Sequence, residues 1–405
     1  MAAFVLGGAS LLLAGCDPAP RQQEKAAPAA RRASGSFTIL HTNDIHGRHQ
    51  PFAVAPGNAT AQTGDPGRPP SSFELAGTVG GFAHLATAIA RARAQRGAAN
   101  VLLVDGGDTF GDDLLGNLTR GEAVIRLMNA LGYQFMALGN HDFEYTSART
   151  QELQQLAHFP MRGANVTDKA TGQPFLGDPT TVITAGGVRV GLLALAYHNT
   201  HLTGNPTNTQ DLAFGSGLEA ARRCLPALRS RADVVVVVSH QGTRVDEQAG
   251  PRGAWHRPHR RRALPRPHHA PAPHWLNVDS AGAVRRGRAR PPRCGCRRAG
   301  LRKWRGGPTL WATEYPADPA VARLVDSLRA PHRARLEEVI ATATGRIGRH
   351  YKSASPFDQL AGELLREATG AEPGLPARRG LRRIIEPGPI TREMLYTLLP
   401  HPPRW

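Results

Sequence analysis

The stretch VLLVDGGDTFGD (101–112) decides the fold that we predict for this chain. Its aliphatic run ends abruptly at Asp followed by Gly, which is how a buried parallel strand delivers polar side chains to the carboxyl edge of a sheet. The same pattern occurs in FTILHTNDIHG (37–47), FMALGNHDFEY (135–145) and VVVVVSHQG (234–242). Since α/β proteins place their sites at this edge, the four segments predict one shared site on an α/β fold.

The residues at these strand ends are of the types that bind metal ions. Carboxylate, imidazole and amide oxygen suit Zn, Mn, Fe, Co or Mg rather than a thiolate site. Asp44 lies two residues before His46, so an extended strand end would put both side chains on one face. A carboxylate such as Asp108 can bridge two cations, and cations roughly 3.5–4 Å apart can clamp a phosphoryl oxygen. The sequence therefore favours a two-metal hydrolase.

The order D-x-H, G-D, G-N-H-[DE], S-H-x-G resembles that of the calcineurin-like metallophosphoesterases. The fuller strings HTNDIHG and ALGNHDF resemble their secreted bacterial 5′-nucleotidase and UDP-sugar hydrolase branch. The resemblance implies a four-layer αββα sandwich over residues 36–317. It also implies a linker helix over 318–343 and a truncated nucleotidase C-terminal α+β domain over 344–405. The expected fold class is thus α/β with a second, incomplete domain.

By the same resemblance, the site holds two divalent metal ions. Asp44, His46 and Asp108 would bind one ion. Asn140 and His240 would bind the other, with Asp108 as the bridge. A hydroxide held between the two metals would attack the phosphorus of a 5′-nucleotide or a related nucleotide phosphoester.

The catalytic candidates lie in GNHDFEY (139–145). His141 would face the substrate and stabilise or protonate the leaving oxygen. The resembled family usually pairs this His with an Asp three residues later. That position is Glu144 here, and Asp142 is the other nearby carboxylate. In ARRGLRR (377–383), Arg382 matches a phosphate-contacting element of the family, and a guanidinium fits phosphate well.

Residues 251–310 depart from the family and carry most of the net charge. They hold 15 Arg and one Lys against one acid, a net +15 of the chain's +18. They show no helical or strand periodicity, and no G-H-x-H-like metal element follows His240. The window is an out-of-frame translation of a GC-rich gene, a neutral insertion, or a tract that binds nucleic acid. The composition favours the first, so none of its His residues is assigned as a ligand and nucleic acid is not expected as a partner.

Two other functions stay open on the sequence alone. With part of the metal shell lost, the chain would be an inactive degraded product whose basic tract binds nucleic acid. Thiosulfohydrolases share the N-terminal motifs, so a dimetal hydrolase acting on a sulfur ester is a second enzymatic alternative. Substrate profiling separates that alternative from a nucleotidase.

The amino terminus is typical of a bacterial lipoprotein signal. Residues 4–15 are small and apolar, and the following Cys16 would be lipidated after removal of the preceding peptide. The apolar run is too short for a membrane span. Residues 17–35, rich in Pro, Ala, Gln and Arg, have the composition of a flexible tether. The sequence therefore predicts an extracytoplasmic protein of the cell envelope, anchored to the membrane by lipid at Cys16.

Hydrophobic periodicity predicts the elements between the motifs. Helices are predicted over 82–95, 120–132 and 217–231. A hairpin with a Gly-Gly turn is predicted over 180–196. His49 is interpreted as a surface residue, while Asp105 and Asp112 are interpreted as supports of the loop around Asp108.

Overall fold

The structure is a computed structural model that describes residues 35–54, 77–242, 245–246, 279–281, 284–285, 300–301, 312–345, 347, 356–370 and 385–398. Its strands are β1 Thr38–Thr42, β2 Phe52–Val54, β3 Gly77–Val79, β4 Val101–Asp105, β5 Phe135–Ala137, β6 Met161–Arg162, β7 Val166–Asp168, β8 Thr180–Ala185, β9 Val188–Leu195, β10 Leu212–Phe214, β11 Val234–Ser239, β12 Asp279–Ala281, β13 Val284–Arg285, β14 Gly300–Leu301, β15 Val339–Ala343 and β16 Gly388–Thr391.

The α-helices of the same residues are α1 Phe82–Arg96, α2 Leu114–Leu118, α3 Glu122–Leu131, α4 Ser147–Leu156, α5 Thr200–Thr203, α6 Gly217–Arg231, α7 Pro319–Arg329, α8 Arg333–Leu336, α9 Pro356–Thr369 and α10 Arg392–Leu398. Among the residues described, no helix is both long enough and apolar enough to cross a bilayer.

Two β-sheets face each other at the centre of the structure. The first has the order β12-β1-β4-β5-β6, in which β1, β4, β5 and β6 are parallel and β12 is antiparallel. The second has the order β11-β9-β8, with β11 parallel to β9. Ile39, Leu102 and Phe135 of the first sheet share a buried cluster with Val190 and Leu192 of the second. This inner core forms because each sheet removes an apolar face from water.

Helices cover the outer face of each sheet. α1 and α3 pack on the first sheet and α7 packs against these two helices, in a core that includes Leu85, Leu127 and Val325. α6 covers the second sheet, and its Leu225 and Leu228 are buried there. The layers therefore run helix, sheet, sheet, helix, and the predicted four-layer sandwich is confirmed.

The local patterns predicted the elements of this sandwich well. The three predicted helices correspond to α1, α3 and α6, and the hairpin predicted over 180–196 corresponds to β8 and β9. Its turn consists of Gly186 and Gly187 at φ 57° and 73°. Two successive positive φ values require residues without a Cβ, which explains the Gly-Gly pair.

The predicted linker helix over 318–343 is only partly correct. Pro319–Arg329 is helical as α7, and its N-cap Asp318 accepts hydrogen bonds from the Ala320 and Val321 amides. Val339–Ala343, however, is strand β15, which pairs antiparallel with β16. The segment VIATA finds a strand partner far along the chain, and a local helical pattern does not reveal such pairing.

Short strands also occur within the Arg-rich window, where the sequence predicted none. Asp279–Ala281 is β12, and its backbone pairs antiparallel with β1. Val284–Arg285 and Gly300–Leu301 pair with each other as β13 and β14. The other residues of 251–310 lie outside the part of the chain that the structure describes.

Candidate metal centre

The ends of four strands meet at one edge of the two sheets. Thr42 pairs with Asp105 and Asp105 pairs with Met136, so β1, β4 and β5 end side by side. β11 ends at Ser239 in the second sheet. The next residue, His240, has its Nε2 only 3.2 Å from Oδ2 of Asp108. The loops that follow these strands therefore bring the candidate residues of both sheets together.

Three of the candidate residues have left-handed backbone conformations. Asp44, His46 and Asp108 have φ values of 53°, 50° and 56°. Non-glycine residues rarely adopt this region, and it persists only where surrounding contacts hold it. The Asp44 amide donates to the Gly107 carbonyl at 2.8 Å, and the His46 amide donates to the Asp108 carbonyl at 3.0 Å. The expectation of an extended backbone through Asp44 and His46 is therefore wrong, although their side chains do converge.

The donor atoms of this first group lie close enough to share one cation. Asp44, His46 and Asp108 each offer one atom, and these atoms all lie within 4.8 Å of one another. Nε2 of His46 lies 3.8 Å from Oδ1 of Asp44. His46 and Asp108 are buried, whereas Asp44 is partly exposed. Two carboxylates and an imidazole in this arrangement suit a borderline or hard divalent ion.

Two imidazoles of the site are held by hydrogen bonds through Nδ1, and Nδ1 of the third lies near a carboxylate. Nδ1 of His240 donates to the Gly106 carbonyl at 2.8 Å. Nδ1 of His141 lies 2.5 Å from Oε1 of Glu144. Nδ1 of His46 lies 3.3 Å from Oδ2 of Asp112. Metal-binding and catalytic imidazoles are fixed this way, because a partner on one nitrogen orients the other toward the reaction.

The buried charged groups of the cluster shift one another's pKa values. Burial alone would raise the pKa of Asp108, but the imidazoles of His240 and His141 outweigh it and hold that pKa below its usual range. Burial would lower the pKa of His240, and the Asp108 carboxylate outweighs it, so the pKa of His240 is raised. Asp108 is therefore ionised, and its carboxylate stabilises positive charge on the groups around it.

Asp142 does not pair with the His141 ring. The prediction of Asp142 as a catalytic partner of that ring is therefore wrong. Its side chain is buried, with 1% of the residue exposed, and its oxygens accept hydrogen bonds from four backbone amides. Glu144 is the residue that reaches Nδ1 of His141. A Glu at this position therefore orients the imidazole in spite of its extra methylene.

The structure gives fewer contacts for the remaining candidates, Asn140, Cys16 and Arg382. Asn140 is half-buried and immediately precedes the short 3₁₀ helix that carries His141. Its neighbour Gly139 has no room for a side chain, because a Cβ there would collide with the Asp108 carboxylate and amide. Cys16 and Arg382 lie outside the described residues. Lipidation of Cys16 and phosphate binding by Arg382 therefore stay predictions.

The structure adds a buried network that the sequence did not reveal. His49, interpreted above as a surface residue, is only 3% exposed, so that interpretation is wrong. Its Nδ1 lies 3.2 Å from Oδ2 of Asp113, and its Nε2 lies 2.8 Å from Nη1 of Arg329. Arg329 also donates to both carboxylate oxygens of Glu393, at 2.5 and 2.9 Å. These four residues come from four separate segments, and only the fold brings them together.

The strand-end cluster and the four-layer sandwich define a phosphoesterase of the two-sheet class. A family model described as calcineurin-like phosphoesterase matches residues 37–269, which is more than half of the chain. The chain belongs to the calcineurin-like phosphoesterase family.

Curated relatives are named as nucleotidases. The 5′-nucleotidase of Vibrio cholerae is 30% identical over 232 residues, covering 57% of this chain and 37% of the relative. A snake venom 5′-nucleotidase from Gloydius brevicauda is 33% identical over 180 residues, covering 43% of this chain and 28% of the relative. The similarity therefore spans about a third of the length of these relatives.

Solved structures share the fold over most of the chain. The 5′-nucleotidase precursor of Thermus thermophilus has a TM-score of 0.71 at 23% identity and covers 90% of this chain and 74% of that chain. The sulfate thiohydrolase SoxB of the same organism has a TM-score of 0.66 at 20% identity and covers 90% and 73%. Since both a nucleotidase and a thiohydrolase adopt it, the fold alone does not select the substrate.

Proposed function

We propose that this chain is a metal-dependent phosphoesterase that hydrolyses 5′-nucleotides or related nucleotide phosphoesters. The observation that carries the proposal is the convergence of His46, His141 and His240 around the Asp108 carboxylate. Nδ1 of His141 and of His240 is held by Glu144 and by the Gly106 carbonyl, and Nδ1 of His46 lies 3.3 Å from Asp112. Such preorganisation is what a metal centre and an adjacent general acid require.

The donor set fits a pair of divalent ions. Asp44, His46 and Asp108 would hold one ion, and Asn140 and His240 would share Asp108 with the second. When bound, such ions act as Lewis acids on phosphoryl oxygens and lower the pKa of water. Several metals suit these donors, among them Zn, Mn, Fe, Co and Mg.

The protein's own residues supply orientation and a proton. Glu144 accepts the Nδ1 proton of His141 and so fixes the ring. Burial alone would lower the pKa of His141, but the Asp108 and Glu144 carboxylates raise it to about 10, so the ring is an imidazolium whose Nε2 proton can be transferred. Hydrolysis forms a bond from phosphorus to a water oxygen and breaks the bond to the ester oxygen. His141 would give its Nε2 proton to that leaving oxygen, which then departs as an alcohol. The backbone amide of His141 binds Oδ1 of Asp108 at 2.9 Å, so the acid and the bridging carboxylate keep a fixed separation.

Nucleotides are the proposed substrates because the curated relatives that match this chain bear the name 5′-nucleotidase. The test is phosphate release from AMP, UDP-glucose and p-nitrophenyl phosphate by protein stripped of metal and reloaded with Mn²⁺, Co²⁺ or Zn²⁺. Release that depends on metal and on His141 supports the proposal. Turnover of a thiosulfate ester in place of phosphoesters would support the thiosulfohydrolase alternative.

An incomplete metal shell would make the proposed activity fail in a recognisable way. The sequence after His240 contains no G-H-x-H-like element, so the metal shell would have fewer protein ligands than in the resembled family. Metal binding without turnover would identify a damaged enzyme. Loss of both, with salt-sensitive nucleic-acid binding that disappears when 251–310 is deleted, would support the inactive alternative.

We further propose that the chain is anchored by lipid at Cys16 on the outer side of a bacterial membrane. The support is the short apolar segment that ends at this cysteine. Metabolic labelling with a fatty-acid analogue should mark the expressed chain, and Cys16→Ala should abolish the label. Labelling that persists in the variant would contradict the proposed anchor.

A further inference from the structure

The two loops that carry the candidate centre are joined by one buried carboxylate. The first loop, 106–111, carries Asp108, and the second, 139–144, carries Asn140 and His141. Asp142 belongs to the second loop, and its carboxylate lies between the two loops. Its Oδ2 accepts from the Asp108 amide at 3.0 Å and from the Gly139 amide at 2.7 Å. Its Oδ1 accepts from the amides of Thr109 and Phe110 at 2.8 and 3.2 Å.

These four amides have a strict need for an acceptor. They belong to loops rather than to a ladder, and a buried amide without a partner costs about 1–3 kcal/mol. One carboxylate that satisfies amides of both loops also fixes the distance between them. The same loop is held from its other side by Asp105, which accepts from the Gly107 amide at 2.9 Å and the Thr109 hydroxyl at 2.7 Å.

The local backbone explains why such bracing is needed. Asp108 is left-handed at φ 56°, a conformation that surrounding contacts must hold in place. Gly139 meets the Asp108 carboxylate so closely that no Cβ fits between them. A small movement of either loop would therefore change where the Asp108 oxygens point.

We propose that Asp142 is a positioning residue of the metal centre, which sets the orientation of Asp108 relative to the loop of Asn140 and His141. This inference rests on the proposed function, because it assigns Asp142 a part in that site. Both of its carboxylate oxygens act as acceptors of backbone amides. An asparagine would offer one oxygen and would turn an NH₂ group toward N–H donors.

The first test uses amide hydrogen exchange in the metal-free protein. In the wild type, the amides of residues 108–110 and of Gly139 should exchange slowly although they lie in loops. Asp142→Asn should raise their exchange rates strongly. Asp318→Asn is the matched control, because Asp318 also accepts from two backbone amides but caps α7. Rapid exchange of the four amides in the wild type would overturn the proposal without any variant.

The second test measures Co²⁺ affinity and the visible absorption spectrum of the bound Co²⁺. Asp142→Asn should bind Co²⁺ about 10- to 100-fold more weakly and with an altered spectrum, as expected when a residue that orients ligands is lost. Asp318→Asn should leave both unchanged. Gly139→Ala, which separates the loops while Asp142 stays in place, should weaken binding in the same way and serves if Asp142→Asn does not fold.

The outcomes distinguish this inference from the proposed function. Unchanged Co²⁺ affinity and spectrum in both Asp142→Asn and Gly139→Ala would refute the positioning part of Asp142. A wild type that binds Co²⁺ but releases no phosphate would refute the proposed function for this chain. In that case the affinity and exchange measurements would still decide the inference.

Discussion

The loops of the candidate centre and the C-terminal pair β15–β16 with α10 are held in different ways. In the loops, Asp105 and Asp142 are 0% and 1% exposed, and each accepts several hydrogen bonds. In β15, four of the five residues are exposed, including Val339 and Ile340. Among the described residues of this region, the buried apolar cluster consists of Ala343, Ile385 and Leu398.

The comparison shows that the two regions are held for different purposes: the centre needs accurately positioned atoms, whereas the C-terminal pair needs only to stay attached. Buried carboxylates that satisfy loop amides fix atoms to within small tolerances, which a metal centre requires. The C-terminal pair instead depends on a small apolar cluster and on Arg329, whose guanidinium joins Glu393 to His49. Regions with few buried apolar contacts open at low free energy. We therefore expect the centre to be rigid and the C-terminal pair to open locally before the sandwich unfolds.

The largest effect should come from the centre. His141→Asn removes the proposed proton donor and should lower kcat of the metal-loaded protein about 10²- to 10⁴-fold. Bound metal should stay the same, because His141 is not one of the proposed ligands. The exposed His158 provides the control, since His158→Asn should leave kcat unchanged. An equal kcat in His141→Asn would remove this residue from the mechanism.

The next effect should fall on the C-terminal pair. Arg329→Met leaves the Glu393 carboxylate without its bidentate partner in a mostly buried position. Removing one member of a buried pair costs about 3–5 kcal/mol. Hydrogen exchange of 385–398 should accelerate while that of β4 stays slow. Arg392→Met removes an exposed pair with Glu338 and should change exchange very little. Equal effects of the two substitutions would contradict the assigned part of Arg329.

A smaller effect is expected at the partner of the proposed acid. Glu144→Gln keeps the shape of the side chain but weakens its hold on Nδ1 of His141. We expect kcat to fall about 10- to 100-fold, in line with the loss of a residue that orients an imidazole. Because the two residues act as a unit, Glu144→Gln combined with His141→Asn should be no slower than His141→Asn alone. Additive losses would show that they act independently.

The smallest effect concerns the pH dependence of stability that comes from Asp105, the buried carboxyl that holds the loop 106–111. Burial raises the pKa of Asp105 from 3.8 to about 7, although Thr42, Thr109 and Gly107 donate to it. The protonated carboxyl of Asp105 also has a hydrogen-bond partner. Oγ1 of Thr42 lies 2.6 Å from Oδ2 of Asp105 and 2.8 Å from the hydroxyl oxygen of Tyr133. The folded state thus retains a proton that the unfolded state releases. The contribution of Asp105 to stability should therefore fall as pH rises from about 4 to 7.

Urea midpoints of the metal-free wild type and of Asp105→Asn measure this dependence. The stability difference between the two proteins should decrease across that range and level off above it, because the asparagine does not titrate. A difference that does not fall across this range would mean that Asp105 is already ionised in the folded state and is stabilised by its three donors.

The sequence predicted the sandwich and the members of the site because both follow local rules. An aliphatic run that stops at Asp or Asn and Gly identifies a buried strand end, and parallel strands bring their ends to one edge. Residues such as Asp108 and His240 could thus be grouped from the sequence alone. The same reasoning failed for Asp44 and His46, whose left-handed backbone departs from the extended strand end that we assumed.

What the sequence did not predict depends on contacts between distant segments. Asp142 looked like a partner of His141 because the two are adjacent, yet its oxygens reach amides of another loop. His49 was interpreted as a surface residue, yet Arg329 covers it from α7, and that contact comes from a distant segment of the chain. Segment 339–343 looked helical because its strand partner, β16, lies far along the chain.

The most direct test of the centre is a Co²⁺ titration of the metal-free wild type and of His240→Ala, followed by visible absorption and by equilibrium dialysis. We predict saturable binding of two ions per wild-type chain and of at most one tightly bound ion in His240→Ala. This result would place His240 in a dinuclear centre with Asp108. No saturable binding in the wild type, or identical binding by the two proteins, would contradict the assignment of these strand ends as a metal centre.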